Sequence, residues 1–132
     1  MTLDELNRLD RARAKSELLR CCGSTRWAAA MAKARPFATL DAMQQKGDEI
    51  WASLGKTDWL EAFAASPRVL DSELYERRFG HMFVICTAEK SIEEIVSAME
   101  ARMSNGPNAE LTMAAEEQRK ITRLKLADLV SG

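Results

Sequence analysis

His81 is the only histidine of the chain, and it is the first residue to consider for acid–base chemistry. Imidazole is the one side chain whose ordinary pKa lies near neutrality, so it can both give and take protons at physiological pH. His81 lies between Gly80 and an apolar run at residues 82–86, where a histidine can also be packed for purely structural reasons. The sequence therefore makes His81 a candidate for acid–base catalysis, with a structural role as the alternative.

The three cysteines predict neither a metal site nor a redox pair. Cys21 and Cys22 are adjacent, and Cys86 is distant from both. Neighbouring cysteines are strained as a disulfide, and these thiols and one histidine lack the spacing of zinc ligands. We interpret the cysteines as small buried residues. Their odd number, with no secretory leader and no apolar run of membrane-spanning length, predicts a cytoplasmic protein that does not bind membranes.

The charge balance argues against a partner made of nucleic acid. The chain has 19 Lys and Arg against 20 Asp and Glu, whereas nucleic-acid-binding proteins cluster cations against phosphates. Four basic residues do gather near the end, at Arg119, Lys120, Arg123 and Lys125, but acidic residues are interspersed among them. We interpret this group as a solvated helix face. A phosphate-binding loop and a nucleophile with an adjacent base are both missing, so these residues alone indicate no reaction.

The composition predicts a single all-α domain over residues 1–132, a helical bundle with short irregular connections. Hydrophobic residues make up 46% of the 132 residues, and Gly and Pro are scarce, as is typical of a globular helical protein. Capping boxes at Thr2 with Glu5 and at Ser91 with Glu94 predict two helix starts. The first of these helices is expected to continue to Gly23.

Turn and cap residues predict the other helices. We expect helices from Trp27 to near Arg35, from Thr39 or Asp41 to Trp51 with an interruption at Gly47, from Thr57 to Ser66, from Ser72 to Arg78, and from Asn108 to Val130. Prolines at positions 36 and 67 set two of the ends, because the residue before a proline disfavours helical geometry. The apolar run at residues 82–86 can be a short buried strand or an extended core segment, and its periodicity does not decide between them.

Several short motifs, in a consistent order, give most of the chain a resemblance to one family. They are Cys21-Cys22-Gly23-Ser24 with Trp27, Arg35-Pro36-Phe37, Asp58 to Phe63, Tyr75 to Gly80, Phe83 to Cys86, Glu110-Leu111, Ala114 to Gln118, and Lys120-Ile121-Thr122. Together they resemble the decarboxylases of 2-oxo-4-hydroxy-4-carboxy-5-ureidoimidazoline (OHCU), which act in uric acid degradation. The Cys-Cys-Gly-Ser motif is most similar to plant members and their bacterial relatives.

The resemblance implies an all-helical, usually dimeric enzyme that converts OHCU to S-allantoin and carbon dioxide without a cofactor. The electrons released with carbon dioxide enter a ring C=N bond, and a positioned acid then protonates one face. Such an enzyme supplies recognition of the carboxylate, hydrogen bonds to the ureido group and stereospecific proton handling. In plant-type members this domain can be joined to a transthyretin-like hydrolase domain, which is therefore an expected partner.

The resemblance also implies a set of site residues. In the family, a histidine that precedes a proline handles protons, and an arginine on the last helix pairs with the substrate carboxylate. Ser66 stands at the histidine position, and Lys125 stands at the arginine position. The extended run after Gly80 is implied to hold the substrate ring. The implied substrate-binding residues are Pro67, Phe83, Val84, Ile85 and Lys125, and proton handling falls to Ser66 or His81.

These positions differ from the family pattern in three ways. A serine hydroxyl has no pKa near 7, and Lys125 keeps the charge of arginine without its planar, two-pronged geometry. The segment with the family's Glu-Gln motif is predicted to be absent after about residue 70, because Leu70 is followed almost directly by Tyr75. The alternatives to an active decarboxylase are a catalytically impaired relative that acts as a binding or dimerisation module, and a sequence from which this segment was omitted.

Overall fold

A computed structural model describes residues 1–132 as eight α-helices with no β-strand, which confirms the prediction of an all-α fold. The helices are α1 (Leu3–Arg8), α2 (Arg11–Leu19), α3 (Thr25–Ala34), α4 (Leu40–Ser53), α5 (Lys56–Ala65), α6 (Glu73–Phe79), α7 (Ile92–Arg102) and α8 (Pro107–Leu129). None of them combines the length and the apolar character that crossing a membrane requires.

The first predicted helix is in fact two helices, so its predicted continuation to Gly23 is wrong. Leu9 is extended and ends α1. The carboxylate of Asp10 then accepts a hydrogen bond from the backbone N–H of Arg13 at 2.8 Å and caps α2. Leu6 and Leu18 are both fully buried, so the apolar stripe was correctly identified although the chain turns within it.

The predicted interruption of the third helix at Gly47 is also wrong. Thr39 caps α4, which continues through Gly47 to Ser53. An internal glycine costs a helix only about 1 kcal/mol, whereas α4 buries Met43 and Trp51 on either side of it. Core packing therefore outweighs the glycine.

Most other helix ends follow the sequence signals. α5 begins at Lys56 with Gly55 as its N-cap, two residues before the predicted cap at Thr57. It ends at Ala65 with Ser66 as its C-cap, as Pro67 predicts. Both halves of the Ser91–Glu94 capping box are formed at the start of α7. α6 ends at Gly80, whose φ of 78° is left-handed and suits a residue without a Cβ.

The main core lies between helices α1 to α5 and α8. Its largest fully buried members are Trp27, Phe63, Leu6, Leu18, Met31, Met43 and Leu126. A second, smaller cluster contains Tyr75, Phe83, Ile85 and Ile95. Ile92, at the start of α7, is 70% exposed, although it shares a helical face with Ile95.

The apolar run at residues 82–86 passes between the two clusters as an extended segment without a partner strand. Val84 packs into the main core, whereas Phe83 and Ile85 pack into the smaller cluster. This alternation is what extended backbone produces. Side chains hold the segment in place: Arg102 donates to the carbonyl oxygen of Val84 at 2.7 Å, and Glu117 accepts from the N–H of Cys86 at 3.0 Å.

Candidate functional site

A cleft of about 350 Å³ lies where the end of α5, the extended segment and α8 meet. Its volume is at the lower end of the range for small-molecule sites. The cleft brings together four predicted site residues that are far apart in sequence. Its walls are formed by Ser66, Pro67, Val69, Ile85, Cys86, Thr87, Ala88, Ile121, Leu124 and Lys125.

One face of α8 forms the floor of this cleft. Ile121 and Lys125 are four residues apart, so they project from the same side of the helix, and both line the cleft. Gln118 and Thr122 share this side of the helix and are buried beneath the surface, at 1% and 6% exposure. The helical repeat thus places Ile121 and Lys125 at the surface of the cleft. The polar side chains of Gln118 and Thr122 are buried beneath them.

Ser66 lies at the C-terminus of α5, where its backbone is extended because Pro67 follows. Its Oγ is 3.2 Å from the carbonyl oxygen of Ala62 and 3.1 Å from Oε1 of Gln118. The amide Nε2 of Gln118 in turn donates to Oγ of Thr122 at 3.1 Å. Ser66 therefore links the cleft to a buried polar chain that the sequence did not predict.

Lys125 differs from the other basic residues of α8 because its ammonium group has no ion pair. Arg119 pairs with Glu116 at 2.6 Å, Arg123 pairs with Asp48, and Lys120 pairs with Glu117 at 2.7 Å. Arg119, Lys120 and Arg123 are also at least partly exposed, which fits the interpretation of the group as a solvated helix face. Lys125 is half-buried and is the one cation of the group that remains free for a ligand.

The extended segment reaches the cleft through Ile85 and Cys86, and not through the side chains of Phe83 and Val84. Those two side chains are buried in the two cores, and the carbonyl of Val84 is taken by Arg102. The backbone N–H and C=O of Ile85 make no hydrogen bond within the chain. Of the three predicted residues, Ile85 alone lines the cleft.

His81 does not line the cleft. Its ring packs among aromatic rings, with centroid distances of 5.3 Å to Phe63, 5.7 Å to Tyr75 and 6.3 Å to Phe79. Its Nδ1 lies 2.8 Å from the carbonyl oxygen of Met82. This environment corresponds to the structural alternative for His81.

All three cysteines are buried and unpaired, in agreement with their interpretation as small buried residues. Burial raises the pKa of Cys21 to about 12 and that of Cys22 to about 11. Both thiols therefore stay protonated, and weakly nucleophilic, at neutral pH. No group of three or more His, Cys, Asp or Glu side chains is arranged to hold a metal ion.

A buried ion pair supports the extended segment, and the sequence did not predict it. The guanidinium of Arg102 contacts the carboxylate of Glu110 through Nε and NH2 at 2.5–3.1 Å, and the hydroxyl of Tyr75 donates to the same carboxylate. Burial opposes the charge of Glu110, but the hydrogen bonds from Arg102, Tyr75 and Asn105 outweigh it, so the pKa of Glu110 is lowered. The sequence alone does not distinguish Arg102 and Glu110 from the many charged residues that are exposed.

A larger depression of about 700 Å³ lies over α6 and is lined only by charged residues. Both of its cations are paired, Arg68 with Asp71 and Glu76, and Arg77 with Glu73, and the three carboxylates outnumber the two cations. The depression offers neither apolar walls nor an unpaired cation. The smaller cleft is therefore the candidate site.

Comparison with protein families gives a match over most of the chain. The family described as OHCU decarboxylase matches residues 7–74 and 70–127. Among curated proteins, the uric acid degradation bifunctional protein TTL of Arabidopsis thaliana is 30% identical over 147 positions, covering 84% of this chain and 45% of that protein. The 2-oxo-4-hydroxy-4-carboxy-5-ureidoimidazoline decarboxylase of Amia calva is 34% identical over 87 positions, covering 66% of this chain and 48% of that protein. The chain thus spans less than half the length of these two relatives.

Two solved structures share the fold. A crystal structure of OHCU decarboxylase in the presence of (S)-allantoin has a TM-score of 0.81 and 33% identity, and the match covers 88% of this chain and 98% of that one. A crystal structure of (S)-allantoin synthase has a TM-score of 0.83 over 98% of this chain and 54% of the other. The second match, at 19% identity, supports the fold alone.

Proposed function

The chain belongs to the OHCU decarboxylase family, and from this premise we propose that it converts OHCU to S-allantoin and carbon dioxide. We propose that the cleft between α5, the extended segment and α8 binds the ureidoimidazoline, and that the reaction needs no cofactor. The related structure that was solved in the presence of (S)-allantoin supports this assignment.

The free ammonium of Lys125 is the observation that carries the proposal. A carboxylate that enters the cleft meets a cation that has no competing partner in the chain, and the neighbouring side chains of Ile121 and Leu124 are apolar. Charge attraction is stronger in such surroundings than in water. Lys125 would therefore bind the substrate carboxylate, although as a point charge and without the two-pronged geometry of arginine.

The remaining walls of the cleft suit the uncharged part of the substrate. Ile85 offers a backbone N–H and C=O that the chain leaves unbonded, and these can pair with the polar edge of the ring. Pro67 and Ile121 supply rigid apolar surface on the other sides. Together with Lys125 they fix the orientation in which the carboxylate leaves, and orientation by itself lowers a reaction barrier.

We expect this chain to catalyse the proton-transfer step poorly. When the carbon–carbon bond breaks, its electron pair moves into the ring C=N bond, and the carbon that is left must receive a proton on one face. Ser66 cannot supply that proton near pH 7, and His81 lies outside the cleft. We propose that water delivers the proton and that Ser66 positions the substrate. A positioned acid is typically worth about 10²–10⁴-fold in rate, so turnover should be slow.

We further propose that this chain lacks the family's Glu-Gln segment after about residue 70. The two matched stretches, 7–74 and 70–127, overlap there, at residues 70–74. The alignment to the Arabidopsis protein has 147 positions for 84% of 132 residues, which is about 111, so at least about 36 of its positions have no residue in this chain. Val69 and Leu124 at the rim of the cleft are 37% and 50% exposed, as expected where covering residues are lost.

The family also suggests the assembly. We propose a homodimer, and we propose a transthyretin-like hydrolase as a fused or separate partner, because the Arabidopsis relative is named a bifunctional protein. Light scattering on the purified chain tests the first proposal, and a mass of one chain at all concentrations would contradict it.

The activity is tested by giving the purified chain freshly generated OHCU and following the formation of S-allantoin by circular dichroism. We expect a rate above that of buffer that increases in proportion to the protein concentration. The exposed Lys33→Met variant should behave as the unmodified chain does. A rate equal to that of buffer would contradict decarboxylase activity and would leave ligand binding as the function of the cleft.

A further inference from the structure

We propose that Ser66 acts as a hydrogen-bond acceptor toward the bound ligand, so that the cleft selects an N–H group at this position. Gln118 is the positioning residue that holds the Ser66 hydroxyl in this state. The inference rests on the proposed function, because it assumes that the ligand is a ureidoimidazoline or its product.

The Ser66 hydroxyl has a single proton to donate. Two acceptors lie within hydrogen-bond distance of Oγ, the carbonyl of Ala62 at 3.2 Å and Oε1 of Gln118 at 3.1 Å. Ala62 and Gln118 are both at least 99% buried, so both acceptors lie on the protein side of the hydroxyl. A proton given to either one leaves an Oγ lone pair for the cleft.

Ser66 presents an acceptor to the cleft in either orientation of the Gln118 amide. If Nε2 faced Ser66 instead, the amide would donate to Oγ, and the serine proton would still go to the carbonyl of Ala62. Thr122 can bond either end of the amide, because a hydroxyl both donates and accepts. In both arrangements the ligand meets an acceptor at Ser66.

The cleft therefore combines a cation, Lys125, with a hydrogen-bond acceptor, the Oγ atom of Ser66. Lys125 attracts a carboxylate, whereas the Ser66 lone pair repels carboxylate and carbonyl oxygens and favours N–H groups. A ureidoimidazoline carries both kinds of group, with its carboxylate at one position and ureido and ring N–H groups at others. Ser66 and Lys125 therefore specify one orientation of the substrate, and the wrong orientation would leave two acceptors facing each other.

The test compares the binding of (S)-allantoin with that of two analogues, one with a ureido N–H and one with a ring N–H replaced by an oxygen atom. This replacement nearly preserves the size and turns a donor into an acceptor. We expect the unmodified chain to bind at least one analogue more weakly, by a few-fold to about tenfold, which is the range of one hydrogen bond. Calorimetry gives the dissociation constants.

The Ser66→Ala variant should lose most of this discrimination, and Gln118→Met should lose part of it, because Ala62 then remains as the only acceptor for the proton. Ser53→Ala is the matched control, since the exposed Ser53 donates to a helix carbonyl in the same manner, at 2.6 Å, away from the cleft. Discrimination that is equal in the unmodified chain and in Ser66→Ala would overturn the inference.

Two further outcomes would also overturn the inference. If the oxygen analogues bind the unmodified chain as tightly as allantoin or more tightly, the cleft does not select an N–H group at Ser66 and the inference is wrong, while the proposed function stands. If the unmodified chain binds neither allantoin nor the analogues, the proposed ligand class is wrong and the inference fails with it.

Discussion

At the scale of single residues, the site depends on a lysine without a partner and a serine whose proton is already engaged. Family motifs predicted Ser66, Pro67, Ile85 and Lys125 as site residues, and the structure brings all four to one cleft. Neither the free state of Lys125 nor the bond from Ser66 to Gln118 could be predicted, because each depends on which side chains the fold brings nearby.

Changing Lys125 should alter substrate binding more than any other single change in the cleft. Lys125→Met removes the only cation that lines the cleft, so we expect KM for OHCU to rise at least tenfold. Lys125→Arg restores a planar two-pronged donor for the carboxylate and should lower KM several-fold. Steady-state kinetics measures both, with Lys33→Met as the control. Equal KM values for the Met and Arg variants would contradict the role of Lys125.

Placing a histidine at position 66 should supply the missing proton carrier. The Ser66→His variant introduces a group with a pKa near 6.5 at the family's histidine position, so we expect kcat to rise by about 10²-fold or more. Its pH profile should show a new inflection near that pKa. Ser66→Asn is the control, because it adds a side chain of similar size that does not titrate. A gain in Ser66→Asn equal to that in Ser66→His would show that proton transfer is not the cause.

At the scale of secondary structure, the sequence predicted most of the helices. It predicted less well where one helix is interrupted and where another continues. Caps and prolines were reliable signals, as at Ser91 and Pro67, because they act through local hydrogen bonds and sterics. The break at Leu9 and the continuity through Gly47 were missed, since tertiary packing decides both. For the same reason the segment at residues 82–86 stayed undecided: its partners are side chains of α7 and α8, not a neighbouring strand.

Two glycines give a matched pair of predictions about packing. A Cβ at Gly47 would make ordinary contacts, at 3.4 Å from Trp27 and 3.5 Å from Leu126, so Gly47→Ala should raise the free energy of unfolding by up to about 1 kcal/mol through helix propensity. A Cβ at Gly23 would overlap that of Ala65, so Gly23→Ala should cost about 1–3 kcal/mol. Urea unfolding of both variants tests this, and the reverse order of stability would contradict the packing of α2, α3 and α5.

The Arg102–Glu110 ion pair should couple the stability of the fold to pH. Removing the charge in Glu110→Gln leaves Arg102 buried and unpaired, which should cost about 3–5 kcal/mol at neutral pH. Because the pKa of Glu110 is lowered on folding, its contribution is complete above the unfolded-state pKa of about 4.3 and is lost as the pH falls through the lower folded-state pKa.

The difference in the free energy of unfolding between the unmodified chain and Glu110→Gln should therefore shrink as the pH is lowered below about 4. Urea titrations at several pH values measure it. Glu93→Gln, in the exposed first turn of α7, is the control for a carboxylate outside the network. A difference that stays constant with pH would show that the pair does not contribute as described.

At the scale of the whole molecule, the all-α fold and the family followed from the sequence, because caps, apolar stripes and ordered motifs are encoded locally. The shape of the cleft could not be predicted, because it depends on how the connection between α5 and α6 packs. In the structure Val69 and Leu124 are exposed at the rim of the cleft, and a substrate bound there would be open to water on that side.

The stereochemistry of the product tests the central claim most directly. Without an enzyme, a planar intermediate in water takes its proton on both faces and gives both forms of allantoin. If the cleft binds OHCU through Lys125 and Ser66, only one face is open to water, and chiral chromatography should show a clear excess of S-allantoin that disappears in Lys125→Met. Equal amounts of the two forms with the unmodified chain would contradict the account.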